Sequence, residues 1–211
     1  IITLSRENGF ITELQTNGDL LDERKVYELS KAGLNTLAIS RLAWESIENN
    51  IMCGGKSSDL KILVYNALAQ GLKTRLTFVA TTRFNGSLDS IVETCKKANE
   101  LGVQEVTIRR MGMPNFNNVD DRKQAWRVHD FVSGGALGDG EWKSIIGNIM
   151  LKYEALRSFD WGSTAWNIEG VGCLIADCLT IPGLDGTIRY LIYCPDGHMR
   201  YSWEHENAII F

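Results

Sequence analysis

The amino-acid sequence predicts an α/β fold with a parallel sheet, and three observations support this prediction. Short apolar runs rich in strand-forming residues alternate with amphipathic segments over the first hundred residues. The amphipathic segments are long enough to be the crossover helices that parallel strands require. Turn and capping residues stand at the boundaries. Parallel βαβ units leave two architectures open: a doubly wound sheet and a complete or partial β/α barrel.

The first strand–helix–strand unit lies between Phe10 and Ser40. The run "FITELQT" alternates apolar and polar residues, as a strand does, and Asn17-Gly18 is a turn dipeptide after it. Asp22 is the expected N-cap of a helix that ends at Gly33. The run "LNTLAIS" then predicts the second strand.

Two further helices and strands continue the alternation. Ser58 or Asp59 can cap a helix that Gly71 ends, and "KTRLTFVATT" predicts the strand after it. Apolar residues at helical spacing from Leu88 to Ala98 predict the next helix, and "QEVTIRR" is the fourth strand.

The chain changes character after residue 113. An apolar stripe predicts a helix over residues 140–157, and three β-like runs follow, "TAWNIEGVGCLIA", "TIRYLIYC" and "MRYSWE". The last two are joined through Pro195-Asp196-Gly197, which predicts a hairpin. We therefore expect residues 1–113 to form a β/α domain and residues 114–211 to form a small α+β extension.

Composition excludes some classes of protein. The net charge of −4 and the sequence pI near 5.5 argue against nucleic acid as the main partner, since such partners favour a basic face. No apolar run has the length of a membrane span. The five cysteines show no regular spacing, which argues against a disulfide framework and favours the cytoplasm.

Small polar and basic residues stand where the predicted strands end. The carboxyl ends of parallel strands are where α/β folds bind ligands. Arginine pairs with carboxylates through two parallel hydrogen bonds, and small hydroxyl and amide groups suit a ribose. Neither GxxxxGK[ST] nor GxGxxG occurs, so a nucleotide-binding loop of either type has no support. The residues at the strand ends are Thr16-Asn17-Gly18, Ser40-Arg41, Thr81-Thr82-Arg83 and Arg109-Arg110-Met111.

The stretch "TNGDLLDERKVYELSKAGLNTLAIS" resembles the middle of a radical S-adenosylmethionine (SAM) enzyme. That family shows a strand ending in T-N-G, a helix ending in v-x-x-L-x-x-a-G-l and a strand closing on i-S. Here Thr16-Asn17-Gly18, Val26 to Leu34 and Ile39-Ser40 match them. The resemblance covers about residues 9–113 and implies a partial (β/α) TIM-type barrel with parallel strands.

The resemblance implies an activity for the full-length protein: reductive cleavage of SAM at a [4Fe-4S] cluster, followed by abstraction of a substrate hydrogen. The CxxxCxxC loop and the GGEP-type strand end of the family do not occur in this sequence. Together with the start at Ile1, this predicts a truncated fragment that binds no cofactor and is inactive alone. An exposed sheet edge at "FITELQT" predicts a homodimer.

The resemblance also assigns roles around the first two strands. Thr16 and Asn17 would lie beside the SAM pocket, and Ser40 would donate a hydrogen bond to the ribose or carboxylate. The alternatives are a plain turn for Thr16 and Asn17, and for Ser40 the N-cap of a helix that starts near Leu42.

The residues at the later strand ends receive implied roles as well. Thr81 to Arg83 would contact ribose or substrate, and Arg109 and Arg110 would meet the SAM carboxylate or the adenine edge. Because successive strand residues point to opposite faces, at most one of the two adjacent arginines can reach the ligand.

A second candidate site lies in the extension. Cys173, Cys178 and Cys194, with His198 or Asp177 as a fourth ligand, could hold an auxiliary iron–sulfur cluster or zinc, which many radical SAM enzymes carry after the barrel. The Cys-x4-Cys spacing points the thiols of a strand to opposite faces, and buried cysteine is common in apolar cores.

Two other functions remain open. The chain could be a non-catalytic βα module that binds a small ligand or a partner without a cluster. It could also be an ordinary β/α-barrel enzyme, although acid–base residues are scarce at its strand ends. The substrate is not specified, because its determinants fall in residues 114–211.

Overall fold

The computed structural model describes residues 1–53, 55, 57–111, 132, 134–159, 163–176, 191–193 and 197–200. The chain divides into two compact units, Ile1–Asp177 and Cys178–Phe211. The candidate site lies in the first unit. None of the helices in the described ranges has the length and apolarity that crossing a membrane requires.

Helices and strands alternate through the first unit. Their bounds are α1 Ile2–Glu7, β1 Glu13–Thr16, α2 Glu23–Lys31, β2 Thr36–Arg41, α3 Ser46–Cys53, α4 Leu60–Ala69, β3 Lys73–Ala80, α5 Leu88–Glu100, β4 Glu105–Arg110, α6 Asp139–Lys152, β5 Glu154–Ser158, β6 Thr164–Ile168 and β7 Val171–Ala176. In the second unit, β8 (Ile192–Tyr193) and β9 (Met199–Arg200) pair antiparallel, which confirms the predicted hairpin.

One seven-stranded sheet organises the first unit, in the order β1-β2-β3-β4-β7-β6-β5. Neighbours from β1 through β4 to β7 pair in parallel, whereas β6 and β5 return antiparallel. This confirms the predicted α/β class and is consistent with a partial TIM-type barrel. Strands from both sides of residue 113 share the sheet, and the division there into a β/α domain and a small α+β extension stays a prediction.

The predicted caps explain where the helices begin. The Asp22 carboxylate accepts from the Lys25 N–H at 2.8 Å and starts α2, while Asp59 accepts from the Lys61 N–H at 2.8 Å and starts α4. Each of these helices is followed by a glycine with positive φ, Gly33 after α2 and Gly71 after α4.

The core lies on one face of the sheet, against α2, α4, α5 and α6. Alternate residues of the parallel strands point into it and are almost fully buried. They are Leu37, Ile39, Leu76, Phe78, Val106 and Ile108. The residues between them form the opposite face, which we call the inner face: Gln15 of β1, Ala38 and Ser40 of β2, Arg75 and Thr77 of β3, and Glu105, Thr107 and Arg109 of β4.

The helix predicted over residues 140–157 ends earlier, at Lys152. Tyr153 has the extended backbone of a strand, and Glu154–Ser158 form β5, whose five residues are all exposed. The apolar residues in this stretch continue the helical spacing, but pairing with β6 takes the backbone out of the helix.

The link between β2 and α4 contains a short helix, α3, which starts later than the helix that the sequence placed near Leu42. α3 begins at Ser46, whereas Ser40 lies within β2, so the N-cap alternative for Ser40 is wrong. Asn49 stabilises the turn before α3, because its buried amide oxygen accepts from the backbone N–H groups of Leu42 and Ala43.

Candidate ligand site on the inner face of the sheet

Three hydroxyl side chains lie side by side on the inner face. The strand register pairs Ser40 with Thr77 and Thr77 with Thr107, so the three residues follow one another across β2, β3 and β4. Neighbouring strands are about 4.8 Å apart. Gln15 on β1 extends this line, because its Nε2 donates to Ser40 Oγ at 3.1 Å. We call Ser40, Thr77 and Thr107 the hydroxyl row.

An ion-pair network lies nearer the amino ends of the same strands. Arg75 Nη1 is 3.0 Å from Glu13 Oε2, and Arg75 Nε is 3.1 Å from Glu105 Oε2. Lys73 also pairs with Glu105. Ala38 of β2 lies next to Arg75 of β3, and its small side chain leaves room for Glu13 of β1 to reach Arg75 across β2.

The carboxylate of Glu105 shows the strength of this network. Burial by itself raises the pKa of this group, but hydrogen bonds from Lys73 and Arg75 outweigh burial and hold the pKa below its ordinary value. Two carboxylates therefore neutralise two cations, and the network leaves no excess charge.

Arg109 lies one row beyond the hydroxyl row, next to Val79 of β3. Its Nε is buried and has no hydrogen-bond partner among the described residues. Burial lowers the pKa of its guanidinium, the Arg75 cation lowers it further, and Glu13 partly offsets both. Arg109 is thus a cation in this cluster with an unused hydrogen-bond donor.

Arg110 points to the other face of the sheet. Its Nη2 donates to the Leu137 carbonyl at 2.7 Å and pairs with Asp139 at the start of α6. The hydrogen bond from Arg110 also lowers the pKa of Asp139. The two adjacent arginines therefore separate as the strand alternation predicted, and of this pair only Arg109 lies on the inner face.

The Thr16-Asn17-Gly18 segment forms a compact turn after β1. Thr16 Oγ1 accepts from the Gly18 N–H at 3.0 Å, and Asn17 Oδ1 accepts from the Asp19 N–H at 3.2 Å. Gly18 has φ +80°, and a Cβ there would lie 2.6 Å from Leu63 Cδ1. Turn geometry alone accounts for these residue types, and their SAM contacts stay predictions.

Thr81 and Arg83 belong to a second turn, after β3. Thr81 is almost fully buried, and its Oγ1 accepts from the Phe84 N–H at 2.9 Å. The next residue, Thr82, donates its N–H to the Gly135 carbonyl at 2.9 Å. Arg83 is exposed and lies over the Phe84 ring. The hydroxyl of Thr81 is thus used within the turn, whereas the Arg83 side chain faces solvent.

The described cysteines lie apart from the inner face. Cys95 of α5 and Cys173 of β7 are fully buried in the core, while Cys53 is exposed at the end of α3. A hydrogen bond between the two buried thiols, together with burial, raises the pKa of Cys173.

The predicted auxiliary metal site lies only partly within the described residues. Cys178, Cys194 and Asp177 lie outside the described residues, and His198 is exposed in the second unit. Within the described ranges, no three His, Cys, Asp or Glu side chains are grouped so as to hold a metal ion.

Sequence reasoning missed most of the inner face. It found Ser40 and Arg109, because these lie near the strand ends, but not Gln15, Thr77 or Thr107. The signal was the alternation of polar residues with Leu76, Phe78, Val106 and Ile108. Parallel strands covered on both faces are usually apolar throughout, so this alternation marks a face with a different environment.

No family model matches the sequence. Among solved structures, coproporphyrinogen III oxidase (HemN) from Escherichia coli, a radical SAM enzyme, has a TM-score of 0.52 at 12% identity, over 72% of this chain and 36% of that one.

Structures of SuiB from Streptococcus suis in two bound states also resemble part of this chain. Bound to its precursor peptide SuiA, it has a TM-score of 0.45 at 17% identity, over 75% of this chain and 38% of SuiB. Bound to SAM, it has a TM-score of 0.44 at 20% identity, over 63% and 30%. This chain spans about a third of the length of these proteins. The likeness to HemN shows a shared fold over 72% of this chain, and the T-N-G and i-S resemblance implied a fold of this kind.

Proposed function

We propose that this chain is part of a radical SAM enzyme and that its inner face binds the ligands of the reaction. The observation that carries the proposal is the hydroxyl row beside Arg109. Polar groups collected on one face of parallel strands, with Ser40 and Arg109 near the carboxyl ends, are what a polar ligand requires. The fold shared with HemN supports the same reading.

The residues of the inner face fit SAM. The Ser40 hydroxyl, held by Gln15, can donate to or accept from a ribose hydroxyl, and Thr16 and Asn17 form the turn at the end of β1 beside it. Arg109 stays a predicted contact of the carboxylate or the adenine edge. When bound, SAM would supply the radical chemistry of the superfamily, and the chain would orient it and exclude water.

The described residues do not fit an iron–sulfur cluster. A cluster needs several convergent thiolates, whereas Cys95 and Cys173 are in the core and Cys53 is alone at the end of α3. We therefore assign no step of the reaction to a cluster. The second candidate function, a βα module that binds its ligand without a cluster, therefore stays open.

Isothermal titration of the 211-residue chain with SAM tests the proposal. The sequence alone predicted that this chain binds no cofactor, whereas the proposal, which rests on the polar inner face, predicts that it binds SAM. We expect Ser40→Ala to weaken this binding about 3- to 10-fold, since a neutral hydrogen bond contributes roughly 1 kcal/mol. Ser144→Ala, on the exposed side of α6, is the matched control and should bind as the parent does. A folded chain that does not bind SAM would contradict the proposal, and binding unchanged by Ser40→Ala would remove Ser40 from the site.

Several expectations stay predictions alongside this proposal. β1 lies at one edge of the sheet, where the homodimer contact was expected. The cytoplasmic location and the inactivity of the chain alone are likewise predictions.

A further inference from the structure

Thr77 and Thr107 are polar residues at positions where an apolar one would pack as well. They are 5% and 3% exposed, and both lie on the inner face. Strands favour threonine for its branched Cβ, but valine has the same shape and no hydroxyl to remove from water. Two almost fully buried threonines in register on neighbouring strands therefore suggest that something on this face uses their hydroxyls.

The Arg109 guanidinium completes the cluster. It starts two residues beyond Thr107 on the same strand and the same face. Its charge interacts with Arg75 and Glu13, which belong to the ion-pair network on the far side of the hydroxyl row. Arg109 thus lies on the same face as Thr77 and Thr107, one row beyond them, and its buried Nε has no partner among the described residues.

Among the described residues, the charges of this face leave one cation in excess. Glu13 and Glu105 neutralise Lys73 and Arg75 through direct ion pairs. Arg109 is not part of any of those pairs. A buried guanidinium nitrogen without a partner is costly unless an anion or another acceptor satisfies it.

We propose that Thr77, Thr107 and Arg109 form a carboxylate-binding subsite, in which the guanidinium and the two hydroxyls donate hydrogen bonds to one carboxylate of a small ligand. Arginine matches the two oxygens of a carboxylate, and hydroxyls about 4.8 Å apart can approach it from one side. The subsite rests on the proposed function in one respect, namely that the inner face binds ligands. Its carboxylate belongs either to SAM or to a second ligand, and the experiment separates these.

The test follows the Nε–H signal of Arg109 in the nuclear magnetic resonance spectrum of the 15N-arginine-labelled chain. Arg109→Lys identifies the signal by its loss. Acetate, added at constant ionic strength, is the first probe, and we expect it to move this signal in a saturable way. The Arg24 signal, from an exposed position on α2, should not shift in that way.

The threonine variants test whether the hydroxyls take part. Thr77→Val and Thr107→Val, which keep the branched shape, should each weaken acetate binding about 3- to 10-fold. Thr77→Ser and Thr107→Ser should retain it, and they keep the test valid if a valine variant does not fold. Thr74→Val is the matched control, because Thr74 is a buried threonine of β3 on the opposite face.

Two results would overturn the subsite. One is that acetate does not shift the Arg109 Nε–H signal of the folded chain. The other is equal acetate affinity in the parent and both valine variants.

Two further probes identify the source of the carboxylate. SAM carries one, whereas 5′-methylthioadenosine has the same nucleoside without the amino-acid part. If SAM moves the Arg109 signal and 5′-methylthioadenosine does not, the subsite holds the SAM carboxylate. If SAM binds without moving it while acetate does, the carboxylate is that of a second ligand. If SAM does not bind and acetate still moves the signal, the proposed function fails and the subsite stands.

Discussion

Arg41 Nη1 lies 3.7 Å from Asp19 Oδ1, and this contact joins the end of β2 to the turn after β1. The Arg41 side chain is 1% exposed, and its Nη2 donates to the Ser58 carbonyl at 2.8 Å. Burial lowers the pKa of Arg41, whereas Asp19 raises it. A single buried guanidinium thus holds two loops at the carboxyl end of the sheet, on the face opposite to the hydroxyl row.

Arg41→Met should destabilise the chain by about 2–3 kcal/mol, because Asp19 loses its cation and the Ser58 carbonyl loses its donor. The partial exposure of Asp19 keeps the effect below that of a fully buried pair. Arg24→Met, which removes an exposed pair on α2, should change stability by no more than ~0.5 kcal/mol. Urea unfolding measures both, and an Arg41→Met chain as stable as the parent would show that the buried pair contributes nothing.

Gly18→Ala should cost more than Gly71→Ala, although both glycines have positive φ. A Cβ on Gly71 meets nothing within 4 Å, so its cost is conformational, about 1 kcal/mol. At Gly18 the Cβ also approaches Leu63 Cδ1, which adds roughly another 1 kcal/mol of overpacking. Equal free energies of unfolding for the two variants would refute the close approach.

The ion pairs of Glu105 should make the stability of the chain fall at acid pH. The folded pKa of Glu105 lies below the ordinary value of 4.5, so its ion pairs stabilise the fold above that pH. The contribution disappears as the pH falls through the folded pKa. As the pH falls from neutral through the folded pKa, the free energy of unfolding should decrease more in the parent than in Glu105→Gln. Urea unfolding at a series of pH values measures both. Glu100→Gln, at the exposed end of α5, should follow the parent.

Alkylation should separate the described cysteines. Iodoacetamide should modify Cys53 in the folded chain, but Cys95 and Cys173 only after unfolding, because both are fully buried and the raised pKa of Cys173 reduces its thiolate. Mass spectrometry of the peptides measures each rate. If Cys173 reacted as fast as Cys53, it would not be the core residue described above.

Iron analysis bears on the auxiliary site. After anaerobic reconstitution we expect little iron and no broad absorption near ~400 nm, because Cys173 lies in the core. Cys173→Ser should not change the iron content. About four irons per chain, lost in Cys173→Ser, would restore Cys173, Cys178 and Cys194 as ligands of a cluster.

The sequence predicted the fold where local signals and tertiary structure agree. Asp22 and Asp59 mark helix starts through side-chain caps, the glycines after α2 and α4 mark helix ends through positive φ, and those bounds were right. The end of α6 was wrong, because the spacing of Leu156 is helical while pairing with β6 decides its backbone. No local signal reports a partner strand that lies further along the chain.

The candidate site was harder to predict. Strand ends are visible in a sequence, so Ser40 and Arg109 were found. Thr77 and Thr107 lie within strands, where threonine is ordinary, and only the register places them beside Ser40. Arg110 matched the same pattern as Arg109, yet the structure uses it to hold the start of α6.

The pairing of β4 with β7 sets an order of events in folding. β1 to β4 pair with neighbours in sequence through short crossovers, and β5, β6 and β7 form successive hairpins. β4 and β7 are separated by the whole stretch from Met111 to Gly170, so closing this junction has the largest loop entropy to overcome. The two halves should therefore assemble first and join last, and Thr107 and Arg109, which lie on β4 at the junction, acquire their final surroundings only in that slow step.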